Sequence, residues 1–145
     1  MKTNKLTGAA LDWAVAKCEG RTIKRNPMGP QGGHGWWIWE ETPSGRGGIL
    51  IDKSIYIEIG PRIKPKTRQS TVLFSPSTDW AQGGPIIERE KIDVGTSTCG
   101  GWRAVMATEP EYTYGNGPTP LIAAMRCYVA SKMGDEIEIP EELTK

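Results

Sequence analysis

The residues best suited to hold a ligand cluster around one tryptophan. Residues 77–90 read STDWAQGGPIIERE. Side chains of the types at Ser77, Thr78 and Asp79 bond to nearby backbone N–H groups and hold a turn or a helix start, which makes Asp79 an organiser rather than a catalyst. The indole of Trp80 offers a flat face on which a nucleobase can stack, worth about 1–3 kcal/mol per base. The segment therefore predicts the floor of a small-molecule site.

The glycine pair that follows bears on how this site would contact a ligand. Gly83 and Gly84 lack the lysine and hydroxyl spacing of a Walker loop, and they lack the three-glycine fingerprint of dinucleotide-binding folds. They are typical of a turn or bulge before a strand, which we assign to PIIERE. We expect the backbone from Gln82 to Gly84 to meet a phosphate or ribose.

The aromatic composition points to further ligand contacts. The chain has six Trp and one Phe, and Trp adds an edge donor to a wide flat face. Arg103 follows Trp102, and we expect Arg126 on the exposed side of the last helix, where paired N–H donors can hold a phosphate. The predicted ligand-binding residues are Ser77, Thr78, Asp79, Trp80, Gln82, Gly83, Gly84, Trp102, Arg103 and Arg126.

Histidine and cysteine are too few to build the common catalytic or metal sites. His34 is the one histidine, so a two-His metal site is excluded, and a nucleophile–histidine pair would have to recruit it from a glycine-rich loop. The three cysteines are widely spaced without a C-x-x-C pair, which supports neither a disulfide framework nor a structural zinc and favours reduced thiols in a cytoplasm. We assign no catalytic residue, metal or cofactor.

Charge and hydropathy restrict the partners. With 18 basic and 17 acidic residues the net charge is +1, so no duplex nucleic acid is expected. No stretch approaches eighteen apolar residues, so no membrane span is predicted. Any recognition of an anion must be local.

Two helices frame the chain. The first is predicted by a cap at Thr7, by apolar residues at positions 11, 15 and 18, and by a stop at Gly20. The last is predicted by a cap at Thr119, by Pro120 at the first helical position and by a stop at Gly134. We expect its inward side to consist of Ile122, Met125, Val129 and Met133.

Short strands fill the rest of the chain. GILIDKSIYIEI predicts a hairpin, and WWIWE, STVLFS, GWRAVMAT and EIEIP predict further strands. In WWIWE we expect Trp37 to point away from Trp36 and Trp39. The basic segment PRIKPKTRQ, which contains Arg62 and Arg68, is interpreted as a solvated loop or a phosphate-attracting flap. The fold class is α+β, one domain over 1–145 with short, mostly antiparallel strands, two packed helices and a turn-rich middle at about 21–69.

Three segments together resemble a known family. The segments cover roughly residues 6–20, 76–90 and 117–143 and read LTGAALDWAVAKCEG, PSTDWAQGGPIIERE and GPTPLIAAMRCYVASKMGDEIEIPEEL. They resemble the NinX proteins of phages and prophages. The resemblance implies a bacteriophage accessory protein in the cytoplasm of the infected bacterium. It implies no particular reaction.

The leading hypothesis joins that context to the candidate site. We expect a non-enzymatic protein that binds and sequesters a nucleotide-like host immune signal, a cyclic nucleotide, with Trp80 stacking and Arg126 supplying charge. A deep pocket forms most easily between copies, so a dimer or higher oligomer is expected. Two alternatives stay open: an interaction module that inhibits a host protein through its Trp residues, and a metal-dependent phosphodiesterase that uses Asp79 and Glu88.

Overall fold

The computed structural model of the chain describes residues 2–25, 36–42, 45–51, 55–59, 66–69, 74–108 and 111–143. Two compact units are distinguished, one formed by residues 1–18 with 75–145 and the other by residues 19–74. Helices and antiparallel strands are both present, which confirms the α+β class. That the units form a single domain stays a prediction.

The first unit contains every α-helix of the described residues and one three-stranded sheet. Its helices are α1 (Gly8–Cys18), α2 (Trp80–Glu90) and α3 (Pro120–Met133), and its strands are β6 (Asp93–Thr96), β7 (Trp102–Thr108) and β8 (Glu111–Gly117). The strands lie in the order β6-β7-β8 and all pair antiparallel. Helix α3 packs on this sheet and also contacts α1 and α2, so it forms the centre of the unit.

The two terminal helices form as the sequence predicts. The Thr119 side chain accepts a hydrogen bond from the backbone N–H of Ile122 at 3.1 Å, and Pro120 follows it at the first helical position. Helix α3 is buried on most of its sides rather than along one stripe, because the sheet, α1 and α2 surround it; Met125 and Val129 are fully buried. The inward position predicted for Met133 is wrong, since it is 36% exposed.

The sheet of the first unit has one covered face and one open face. Side chains alternate along a strand, and Ala104 and Met106 of β7 are buried on the side of α3. In β8, Gly115 shares this covered side, and a Cβ there would lie 2.4 Å from the Ala123 carbonyl oxygen and 2.5 Å from the Cys127 nitrogen. Strand and helix backbones therefore approach closely where glycine allows it.

The segment PIIERE is helical, and the strand predicted there is wrong. Asp79 caps α2, and Lys91 ends it in the left-handed conformation at φ 54°. Gly83, Gly84 and Pro85 are weak helix formers, but Gly83 and Ile86 are buried at a spacing of three on the side that contacts α3. Tertiary packing and a strong cap thus outweigh the local propensity that favoured a bulge and a strand.

The second unit is an antiparallel five-stranded sheet in sequence order. Its strands are β1 (Thr22–Arg25), β2 (Trp36–Thr42), β3 (Gly45–Leu50), β4 (Ile55–Ile59) and β5 (Lys66–Gln69). Pairing of β3 with β4 confirms the predicted hairpin. In β2, Trp37 and Trp39 are both 3% exposed, and residues two apart share a face. Trp36 is therefore the residue that points the other way, contrary to our expectation.

Other differences from the predicted elements are local. Residues 137–140 form no strand, and Glu136 makes one isolated bridge with Lys2. Part of the basic segment, Lys66–Gln69, is strand β5 rather than loop. Three predicted features lie outside the described residues: the first part of the basic segment, with Arg62, most of STVLFS, and the segment with His34. Strands β6 and β8 were not predicted, because Gly and charged residues interrupt their alternation.

Candidate functional site

Trp80 lies open beside a small recess at the start of α2. Its side chain is 56% exposed, whereas a tryptophan that only fills a core is mostly buried. The Trp80 recess has a volume of about 190 Å³ and is lined by Ser77, Thr78, Trp80, Thr119, Pro120 and Leu121. Three of the predicted site residues, Ser77, Thr78 and Trp80, are thus brought together.

A hydrogen-bonded brace fixes the backbone that carries Trp80. Asp79 Oδ1 accepts from the Ala81 N–H and Asp79 Oδ2 accepts from Gln82 Nε2, both at 3.0 Å. Gln82 Oε1 in turn accepts from the Ser75 N–H at 3.0 Å. The turn that precedes α2 is closed by the Asp79 N–H, which donates to the Ser75 carbonyl at 2.8 Å. Asp79 is therefore an organiser, as its sequence context predicts.

A buried carboxylate of α1 holds the same turn from below. Asp12 is 5% exposed, and its Oδ1 accepts from the Ser77 N–H at 3.0 Å. Burial raises the pKa of Asp12 to about 6, and the hydrogen bonds from Ser77 lower it by less than burial raises it. Desolvation disfavours the charged form, so burial of this carboxylate lowers the free energy of unfolding. Its hydrogen bond nevertheless fixes the position of the Ser77 N–H. The sequence offered no sign of this role beyond an acid lying off the apolar stripe of α1.

Two helix N-termini open onto the recess. Ser77, Thr78 and Trp80 belong to the start of α2, and Thr119, Pro120 and Leu121 to the start of α3. The N-terminus of an α-helix carries about half a positive elementary charge, and its first N–H groups have no carbonyl acceptor within the helix. The amides of Trp80 and Leu121 belong to these first turns. The recess is thus flanked by the positive ends of two helix dipoles, and the Asp79 carboxylate that caps α2 offsets part of that positive charge.

The second wall of this recess was not predicted as part of a site. Thr119 and Pro120 were recognised as a helix start, and the amide-rich end of a helix is an anion-binding element. Only the packing of α2 on α3 brings that end beside Trp80. A sequence pattern marks helix ends, but it does not show which two ends meet.

The backbone from Gln82 to Gly84 lies within the first turns of α2 rather than in a loop. The Gln82 and Gly83 N–H groups donate to the Asp79 carbonyl at 3.0 and 2.9 Å. A Cβ on Gly83 would lie 2.4 Å from the Pro76 carbonyl oxygen and 2.6 Å from Leu121 Cδ2. Gly83 thus allows the preceding turn and α3 to pack closely, which is a different role from the ligand contact we predicted.

Arg126 is buried, and its expected position on the exposed side of α3 is wrong. It is 9% exposed, its Nε donates to the Leu6 carbonyl at 2.9 Å, and its Nη1 donates to the Asn116 carbonyl at 2.7 Å. Burial lowers the pKa of this guanidinium. Arg126 ties the N-terminal segment to β8 through α3, and it does not line the Trp80 recess.

Trp102 and Arg103 lie on opposite faces of the sheet, because side chains alternate along β7. Trp102 is half-buried on the side of α3, and Arg103 is exposed on the open side. The Arg103 guanidinium stacks on the Tyr114 ring, 4.6 Å from its centroid. Neither residue lines the Trp80 recess.

Asp79 and Glu88 are too far apart to bind one metal ion together. Asp79 and Glu88 are separated by nine positions of a helix, which corresponds to about 13.5 Å along the axis. Both Asp79 oxygens already accept hydrogen bonds. Within the described part of the chain, no group of three or more His, Cys, Asp or Glu side chains is arranged to hold a metal ion. The geometry gives no support to a shared metal at these two residues.

Fold and site together define an α+β protein with one aromatic recess between helix ends. The sequence model of the family described as Bacteriophage P22, NinX matches residues 2–132, and the chain belongs to this family. The match extends through all the strands and through α3 almost to its end. It confirms the resemblance over the first two segments and over the third as far as residue 132, and it adds the region between them. No curated protein matches the chain. None of its described helices combines the length and the apolar composition needed to cross a membrane.

Proposed function

We propose that this phage protein binds and sequesters a nucleotide-like signal of host immunity, a cyclic nucleotide, without cleaving it, in the cytoplasm of the infected bacterium. The observation that carries the proposal is the open indole of Trp80 beside two helix N-termini. A base can stack on the indole. A phosphate can accept hydrogen bonds from first-turn amides and gain from the aligned helix dipoles.

The two helix ends, and not Arg126, supply the positive charge for the phosphate. Arg126 donates to two internal carbonyls and stays a structural residue. Backbone amides suit a nucleotide phosphate because they are fixed before the ligand arrives, so little ordering entropy is lost on binding. The brace of Asp79 and Gln82 supplies that fixed geometry.

The size of the recess bears on assembly. A volume of about 190 Å³ is below the roughly 300–1,000 Å³ typical of pockets for small molecules. One base or one phosphate fits there, but a whole cyclic oligonucleotide does not. Pairing of two copies around the recess would enclose the rest of the ligand, and we therefore propose a homodimer or higher oligomer as the binding form.

The test is a thermal-shift screen of the purified protein against cyclic mono-, di- and trinucleotides. A ligand at a hundredfold excess over its Kd stabilises the folded state by about 2.7 kcal/mol, which gives a clear rise in melting temperature. Trp80→Ala should abolish this rise and Trp80→Phe should keep most of it. Met133→Ala, at the other end of α3, is the matched control for an exposed apolar side chain. Ligand recovered intact after heat denaturation would support sequestration, and recovered fragments would contradict it.

A further inference from the structure

A second aromatic surface lies on the open face of the sheet in the first unit. Tyr112 is 64% and Tyr114 is 46% exposed, and they lie two residues apart on β8, so both rings stand on the same face about 7 Å apart along the strand. This tyrosine face borders a shallow recess of about 470 Å³, which Arg103, Val105 and Asp93 also line. Its volume falls within the usual range for small-molecule sites.

The strand register explains why the recess is open. Tyr114 pairs with Val105, and Tyr112 pairs with Ala107. Alanine is too short to cover a neighbouring ring, so the Tyr112 face stays accessible. On the other side of Val105, Asp93 of the edge strand β6 is its pairing partner. A row of aromatic, apolar and acidic residues thus crosses all three strands.

Arg103 supplies a positioned positive charge. Its guanidinium stacks on Tyr114, 4.6 Å from the ring centroid, which holds it against the tyrosine face. No carboxylate or carbonyl among the described residues accepts a hydrogen bond from it, and Asp93 makes no ion pair with it although both border the recess. The N–H edge of a stacked guanidinium can therefore bind an oxyanion through two parallel hydrogen bonds.

The combination of charges selects the ligand class. A nucleic-acid strand is bound by a groove with several basic side chains along its backbone, whereas this recess offers one cation and one carboxylate. A single nucleotide needs less: a flat ring to stack on, one cation for the phosphate, and an acceptor for an exocyclic amine. Tyr112, Arg103 and Asp93 are of these three types.

We propose that the tyrosine face is a second binding site, separate from the Trp80 recess, for a mononucleotide whose base stacks on Tyr112 and whose phosphate binds Arg103. Asp93 accepts from an amino group on the base, which favours adenine over uracil. Because the two sites share no lining residue, the inference does not rest on the function proposed for Trp80.

Isothermal titration with adenosine 5′-monophosphate tests the proposal, with adenosine as the uncharged counterpart. Tyr112→Ala should weaken binding of the monophosphate roughly 5- to 150-fold, the range expected for one lost base stack, while Tyr112→Phe should stay close to the parent protein. Arg103→Gln should weaken the monophosphate but not adenosine. Each titration is carried out in a Trp80→Ala background, which removes any stacking at the Trp80 recess, and Met133→Ala in that background should leave both affinities unchanged. The side chains of Tyr112, Arg103 and Trp80 are all exposed, and melting curves will verify that each variant folds.

Three results would overturn the proposal. Parent-like binding of the monophosphate by Tyr112→Ala would exclude the base stack. An unchanged preference of Arg103→Gln for the monophosphate over adenosine would exclude the phosphate contact. Binding of a single-stranded oligonucleotide through Tyr112, without binding of the monophosphate, would make the face a strand-binding surface instead.

Discussion

Two surfaces of the same unit expose aromatic rings, and they hold them by different means. Trp80 lies at the end of a helix whose start is fixed by Asp79, Gln82 and the buried Asp12. Tyr112 and Tyr114 stand on a sheet whose opposite face packs on α3. The first surface depends on polar groups beneath the ring, and the second on close packing behind it. Substitutions of the polar groups below Trp80 and of the packed residues behind the tyrosines should therefore change the free energy of unfolding in different ways.

The largest expected effect is on the packing behind the tyrosine face. Gly115→Ala would place a Cβ within 3 Å of three backbone atoms of α3. Backbone cannot give way as a side chain end can, so we expect a loss of about 3 kcal/mol in the free energy of unfolding. Urea denaturation measures it. A loss below about 0.5 kcal/mol would show that β8 and α3 are farther apart than described.

A matched glycine pair probes the start of α2. Gly83→Ala would overlap the Pro76 carbonyl and Leu121, and should cost about 1–3 kcal/mol. Gly84→Ala has nothing within 4 Å of its Cβ and should stabilise the helix by up to about 1 kcal/mol. Both changes are compared by urea denaturation. Equal effects of the two substitutions would contradict the packing of α2 against α3.

The buried carboxylate beneath Trp80 gives a pH-dependent signature. The pKa of Asp12 is raised in the folded protein from 3.8 to about 6, so the folded state binds the proton more tightly and loses stability as the pH rises through that window. Asp12→Asn keeps an acceptor for Ser77 without the charge. Its advantage over the parent protein should grow between pH 4 and pH 6 and level off above, by at most about 3 kcal/mol.

The control for that carboxylate is Asp12→Ala, which leaves the buried Ser77 N–H without its acceptor and should be about 1–3 kcal/mol less stable than Asp12→Asn at all pH values. The measurement is the free energy of unfolding of both variants at a series of pH values. A constant difference between Asp12→Asn and the parent protein would mean that the carboxylate does not titrate in this window.

The smallest effect on stability is expected at the indole itself. Trp80 is 56% exposed, so Trp80→Ala should change the free energy of unfolding by no more than about 0.5 kcal/mol. The same denaturation experiment checks this. A loss of 2 kcal/mol or more would place the ring in the interior and remove the reason to regard it as a ligand contact.

The sequence predicted those parts of the fold that local signals control. Caps and stops placed α1 and α3, and alternation placed the β3–β4 hairpin and β7. It failed at α2, where glycines and a proline favour a turn but packing on α3 decides the outcome. It also failed for Arg126, because nothing in a helical pattern shows that a guanidinium will meet the Leu6 and Asn116 carbonyls across the fold.

For the candidate site, residue types were more informative than positions. The open Trp80 and the organising Asp79 follow from their neighbours in the sequence. The Thr119 wall of the recess and the Asp12 anchor do not, since each depends on a long-range contact. The separation of Trp102 from Arg103, by contrast, follows from the strand predicted for GWRAVMAT, because neighbouring side chains of a strand point to opposite faces.

The most direct test of the central claim is the indole region of a ¹H–¹⁵N spectrum during titration with the cyclic nucleotide that gives the largest thermal shift. The chain has six Trp, and the Trp80 signal is the one that Trp80→Phe removes. We predict that this signal moves together with the backbone amides of Trp80 and Leu121. Saturation of binding with those three signals unmoved would contradict a nucleotide site at the Trp80 recess.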